Sequence, residues 1–265
     1  MRDALVDTSC VSVWARIKLN AVVMPRLIDP NELCCTNHLE SLAQRRGWSR
    51  VAGCDEAGRG ALLGPVYAAA VILDPRQPIA GLDDSKKLTA RQREKLAAEI
   101  RAKAVAWRVV AVSAVEIDAV NIYQASRQAM LRALKLLDPA PDFILTDAMP
   151  LRDGEAAFSI PYLPIIHGDA RSVSIAAASI LAKVSRDEHL GKLDRLYPQY
   201  GLAKNKGYGT REHLAALRQH GPCDEHRKTY QPVKDCLLPL FPSSRSQEPG
   251  VRSQVEDGSI LTPDS

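Results

Sequence analysis

Apolar and polar positions recur along this chain with two different periods, and the periods divide it into strands and helices. Ser49 to Cys54 ends in a short apolar run, and a longer one follows, Val66-Tyr67-Ala68-Ala69-Ala70-Val71-Ile72-Leu73. Short apolar runs bounded by turn residues predict buried strands. Ala104 to Val112, rich in β-branched residues, predicts a third strand, Phe143 to Thr146 a fourth and Ser159 to Ile166 a fifth. Helical spacing appears first in His38 to Arg46, where Leu39, Leu42 and Ala43 share a face until Gly47 stops the segment. Thr89 with Gln92, and Ser113 with Glu116, have the spacing of capping boxes that open helices. Ile122 to Leu137 carries an apolar face of Ala125, Ala129, Leu131, Leu134 and Leu137. Ser172 to Leu196 predicts a long helix, alanine-rich at first and charged later, and another helix begins near Thr210. Strands first and mixed elements later predict an α/β fold with a mixed sheet, followed by a helical part. No internal repeat is present.

The ends differ from the middle. Residues 1–37 have weak periodicity and predict an extension, within which Met24 offers a second start position. Residues 38–242 predict the folded domain with its leading helix, and 243–265, polar and rich in Ser, Pro and Gly, a disordered tail. At 265 residues the chain can bury a substantial core. A net charge of +4 permits a nucleic-acid partner without arguing for one. The six cysteines form no C-x-x-C pair and no zinc-like spacing, which predicts free thiols in a reducing compartment. No apolar run approaches a membrane span, and Arg16 and Lys18 interrupt the stretch Val11 to Val23 where a leader would need continuity. The expectation is a cytoplasmic protein without a membrane partner.

Candidate chemistry sits at predicted strand ends. Asp55-Glu56-Ala57-Gly58-Arg59-Gly60 follows the first apolar run, Asp147 follows Thr146, and Gly168-Asp169 precedes the long helix. Acids delivered to one sheet edge repel one another, and hard oxygen ligands favour Mg²⁺ or Mn²⁺ over zinc. An arginine between glycines can meet a phosphate. Each acid alone also fits a solvated turn or a cap, and the first stretch alone fits a charged turn between hairpin strands. Basic residues cluster at Lys86 and Lys87, at Lys183 and Arg186 on one helical face, and in Lys204-Asn205-Lys206-Gly207-Tyr208-Gly209-Thr210. A tyrosine among lysines and glycines suits stacking on a sugar or base, as well as a plain solvated loop. His213, His220 and His226 have no zinc-like arrangement and predict surface or capping roles.

These pieces together resemble ribonuclease HII, the bacterial type 2 ribonuclease H. The matching stretches are Val51 to Gly60 with Gly64-Pro65-Val66, Asp84-Ser85-Lys86-Lys87-Leu88, Glu116-Ile117-Asp118 with Asn121-Ile122, and Gly168-Asp169 leading to Ile175 to Val184. Arg186-Asp187, Tyr197-Pro198, Lys206 to Thr210 and His226-Arg227 continue the series, in order, across residues 49–240. The resemblance implies a ribonuclease H-like mixed sheet flanked by helices, with a helical C-terminal part. It implies a monomeric endonuclease for the RNA strand of RNA–DNA hybrids that also incises at single ribonucleotides in duplex DNA. Asp55, Glu56, Asp147 and Asp169 match the catalytic acids, which hold two divalent ions, Mg²⁺ or Mn²⁺. Gly58, Arg59 and Gly60 match the element that senses the 2′-hydroxyl, and Tyr208 the residue that stacks beyond the junction. Ser85, Lys86, Lys183 and Arg186 complete the expected substrate contacts. Ala61 replaces a common proline, Ala148-Met149 follow Asp147 where glycine is frequent, and His167 replaces a common lysine. A non-catalytic hybrid-binding module is the alternative, and it would require a lost acid.

Overall fold

The computed structural model describes residues 34–151 and 160–237. The expected N-terminal extension up to residue 33, Ser159 and the expected tail lie outside the described residues. Helix α1 (His38–Arg45) leads into strand β1 (Val51–Ala57), followed by β2 (Val66–Ile72), α2 (Ala90–Lys103), β3 (Ala106–Val112), α3 (Ala114–Val120) and α4 (Ile122–Lys135). The remaining elements are β4 (Phe143–Asp147), β5 (Tyr162–Ile165), α5 (Val173–Leu196), α6 (Leu202–Asn205), α7 (Arg211–His220) and α8 (Gln231–Leu237). The strands form one mixed sheet in the order β3-β2-β1-β4-β5. β1 pairs antiparallel with β2 and parallel with β4, and β5 extends the parallel side.

The sheet is covered on both faces, and β2 shows how its sequence achieves this. Ala68 and Ala70 face α4, packing with Ala125, Ala129, Met130 and Leu134. Ala69 and Val71 face α5 and α2, packing with Ala176, Ala177, Ile180, Leu96 and Ile100. Alternate residues of a strand point to opposite faces, so a strand buried on both sides has no polar alternation. The alanines of α5 let that helix lie against the strands, and Ile175 to Ala182 are buried without a break. At Gly53 its approach leaves no room for a side chain, since a Cβ would stand 2.0 Å from the Ser174 carbonyl carbon.

Both predicted capping boxes are made. Thr89 accepts from the Gln92 amide and Ser113 from the Glu116 amide, with the return bonds from each N-cap amide also in place. Thr210 caps α7 and Ser172 caps α5. The ends of the first and fourth strands differ from expectation, and the fourth takes in Asp147. The first strand does not end at Cys54 but continues through Asp55 and Glu56 to Ala57, held by pairing of Asp55 with Ala69 and Glu56 with Ala68. The acids are therefore strand residues, with Asp55 buried. Two carboxylates in sequence look like a turn, but the flanking antiparallel partner keeps them extended. Cys34, Cys35, Cys54, Cys223 and Cys236 are free thiols, and Cys10 lies outside the described residues.

Candidate active site

Strand register delivers the acids. Cys54 stands opposite Thr146 in the parallel pairing of β1 with β4, so Asp55 and Asp147 leave neighbouring strands at the same level. Asp169 arrives on a helical turn, Gly168–Ala170, that connects β5 to α5. The turn is tied back by the Gly168 amide, which donates to Asp147 Oδ1 at 2.8 Å. One carboxylate oxygen from each of Asp55, Asp147 and Asp169 lies within 4.8 Å of the others.

The electrostatics of this cluster call for a cation. Burial, then the charges of Glu56 and Asp147, push the Asp55 carboxyl well above the usual carboxylate range. Burial likewise raises Glu56, against the lowering influence of Arg59, and raises Asp147, against the Gly168 amide. The Lys86 ammonium donates to Asp169 Oδ2 at 3.0 Å, and supplies part of the missing positive charge. Among the described residues, Glu56 Oε2 is buried without a hydrogen-bond partner. An all-oxygen donor set with one carboxylate oxygen left orphaned fits a hard divalent cation. Asp55, Glu56, Asp147 and Asp169 are the residues that would hold it.

The basic candidates divide. Arg59 pairs with Glu56 Oε1 at 3.2 Å and so joins the Gly58-Arg59-Gly60 turn to the acids. A Cβ on Gly60 would stand 3.8 Å from the Tyr208 ring, which brings Tyr208, 40% exposed, to the same edge. Ser85 is buried and bonded to Ser179 on α5 at 2.9 Å, and Lys183 is ion-paired with Asp187 at 2.7 Å.

Arg186, expected with Lys183 among the substrate contacts, lies in the interior. It is 0% exposed and donates to the carbonyls of Pro65, Leu63 and Lys206. Its guanidinium lies 5.5 Å from the Tyr208 ring centroid. Burial draws its pKa down to about 10, so it remains cationic at neutral pH.

Arg227, which sequence reasoning quoted only as part of a motif, holds the Gly58-Arg59-Gly60 turn. It too is fully buried. Its Nη2 donates to Gly58 O at 2.7 Å, Nη1 to Arg59 O at 2.7 Å and Nε to Gly64 O at 3.0 Å. The Tyr230 hydroxyl adds a second bond to Arg59 O at 2.7 Å. Carbonyl and amide of one trans peptide point in opposite directions. With the Gly58 and Arg59 carbonyls turned to Arg227, the amides of Arg59 and Gly60 face away from it. Gly58 itself has φ +98°, and a Cβ there would stand 2.1 Å from Arg186 Nε, so only glycine fits.

A family model described as ribonuclease HII matches residues 52–233. The chain belongs to the ribonuclease HII family. The ribonuclease HII of Solibacter usitatus (strain Ellin6076) is 52% identical over 200 residues, 76% of this chain and 86% of the relative. That of Geobacillus thermodenitrificans (strain NG80-2) is 54% identical over 191 residues, 72% of each. Among solved structures, the ribonuclease H2 of Pyrococcus horikoshii OT3 superposes with TM-score 0.60 at 27% identity, covering 71% of this chain and 97% of that one. The ribonuclease HII assignment makes the chain an endonuclease that hydrolyses phosphodiesters, with a divalent metal as its cofactor class. That assignment sets aside the alternative of a binding module without catalysis. No described helix is long and apolar enough to cross a membrane.

Proposed function

We propose that this ribonuclease HII cleaves the RNA strand of RNA–DNA hybrids and incises duplex DNA at a single embedded ribonucleotide, leaving 5′-phosphate and 3′-hydroxyl ends. The observation that carries this reading is the continuity between the acid cluster and the Gly58-Arg59-Gly60 turn, made by the Glu56–Arg59 ion pair.

Asp55, Glu56, Asp147 and Asp169 would hold two divalent ions, Mg²⁺ or Mn²⁺, which when bound would supply a water of lowered pKa and charge stabilisation at the leaving oxygen. The residues do the placing. Asp55 and Asp147 are fixed by adjacent parallel strands, and Asp169 by the Gly168 amide bond to Asp147, so their carboxylates are set before substrate arrives. Lys86 and Arg59 hold positive charge at either side for the phosphate backbone. The outward amides of Arg59 and Gly60 are donors for a ribose 2′-hydroxyl, the group that separates RNA from DNA. Tyr208 offers an exposed ring for the sugar beyond the junction.

The reading is tested on a duplex with one ribonucleotide, cleaved in Mg²⁺, by mapping the product ends. Ends of 3′-hydroxyl and 5′-phosphate are expected; a 2′,3′-cyclic phosphate would overturn the mechanism, because it marks attack by the ribose itself.

A further inference from the structure

Two histidines that the sequence assigned to surface or capping roles lie in the interior. His213 on α7 is 0% exposed and His226 is 1% exposed, with their rings 5.4 Å apart and Nε2 to Nε2 at 3.3 Å. The Tyr200 ring closes the compartment, edge-on to His226 at 4.8 Å and to His213 at 5.9 Å. Neither imidazole touches the acid cluster described above.

The partners at the two ends fix every proton between them. His213 Nδ1 lies 2.9 Å from the Tyr208 carbonyl oxygen, which can only accept, so Nδ1 carries the hydrogen. In a neutral ring, His213 Nε2 is then an acceptor, and the hydrogen of the Nε2 pair belongs to His226. His226 Nδ1 must in turn be an acceptor. That is what its surroundings require, since the Cys223 amide donates to it at 3.0 Å and the Cys223 thiol stands 3.3 Å away. Donors therefore run one way, from the Cys223 amide through His226 and His213 to Tyr208 O. A second proton on His213 would set two N–H groups face to face across 3.3 Å, and one on His226 would set its Nδ1–H against the Cys223 amide at 3.0 Å.

We propose that His213 and His226 are positioning residues for Tyr208, a neutral imidazole pair of single orientation that anchors the backbone of the residue reading the sugar beyond the ribonucleotide. The Tyr208 carbonyl also accepts from the Thr210 amide at 2.8 Å, so the backbone is held from two sides while the ring remains open to substrate. The anchor joins α7 to the segment of Cys223 and His226, which continues into Arg227 and its bonds to Gly58 and Arg59. The two elements that face the ribose thus rest on adjacent residues. The inference about substrate rests on the reading of Tyr208 given above, whereas the proton order does not.

Long-range nitrogen–proton correlation spectra of the full chain at neutral pH test the proton order. His213 protonated on Nδ1 and His226 on Nε2, both neutral, are expected; His213 protonated on Nε2, or either ring cationic, overturns the proposal. Cleavage kinetics on a duplex with one ribonucleotide test the positioning. His213→Leu is expected to raise KM about tenfold with a smaller change in kcat, the size of one lost stacking contact. His213→Asn, whose amide nitrogen can take the place of Nδ1, is expected to recover most of it. An unchanged KM in His213→Leu, or no recovery in His213→Asn, contradicts the proposal. Tyr208→Ala separates the two readings. If it leaves KM unchanged, the role given to Tyr208 fails; if it raises KM while His213→Leu does not, the anchor fails.

Discussion

Cys54 and Thr146 stand opposite one another in the parallel pairing of β1 with β4, and each is followed by an aspartate. That single register brings Asp55 and Asp147 together from positions far apart in the chain. A slip of one residue would turn one of the two side chains to the other face of the sheet. The site therefore depends on packing that fixes β1, and at Gly53 that packing leaves no room for a Cβ.

Gly53→Ala is expected to destabilise the fold by about 3 kcal/mol or more, because its methyl would meet the Ser174 backbone and force α5 away from the sheet. Urea unfolding measures this. A loss below about 1 kcal/mol would show that α5 yields more easily than close packing allows.

Arg227→Met keeps much of the side-chain volume and removes the donors to the Gly58, Arg59 and Gly64 carbonyls. Orphaning buried carbonyls is expected to cost about 3 kcal/mol in total. Selectivity for ribonucleotide over DNA should fall with it, since the Arg59 and Gly60 amides lose their orientation. A variant as stable and as selective as the parent would remove Arg227 from the account.

Metal binding should appear in stability before any substrate is added. A cation relieves the repulsion that raises Asp55, Glu56 and Asp147, so Mg²⁺ is expected to stabilise the fold by mass action, by about 2.7 kcal/mol at a hundredfold excess over Kd, and so to raise Tm. Differential scanning calorimetry with Mg²⁺ and with a chelator measures the shift, and Asp55→Asn should shrink it. An equal shift in that variant would place the ion elsewhere.

Acid should loosen the molecule through the histidine pair. Burial holds His226 down to about 4, and lowers His213, against an ordinary value near 6.5. Between those values the unfolded chain binds more protons than the folded one. Stability from this source is complete above about pH 6.5 and is lost as the pH falls toward 4. Comparing unfolding of the parent and of His226→Gln across this window isolates the effect, because the acid cluster is common to both. Parallel pH dependence in the two proteins would contradict the assignment of neutral histidines.

Much of this was legible in the chain and some was not, for physical reasons. Capping boxes are local, and Thr89 with Gln92 and Ser113 with Glu116 behave as their spacing says. The acids were recognisable by residue type and by resemblance, yet Asp55 looked like a turn residue because pairing with Ala69 cannot be read from its own neighbours. The spacing puts Arg186 on one helical face with Lys183, but the carbonyls that bury it belong to residues 63, 65 and 206, far away in the chain. His213 and His226 meet only when α7 and the following loop fold against Tyr200, and no periodicity announces such a meeting.

The most direct test of the whole account compares two DNA duplexes of one sequence, with and without a single ribonucleotide, incubated with the enzyme and Mg²⁺. The account predicts incision only at the ribonucleotide, and a loss on the order of a thousandfold in Asp55→Asn, which replaces one carboxylate of the acid cluster. Equal cleavage of the all-DNA duplex, or full activity in Asp55→Asn, would contradict it.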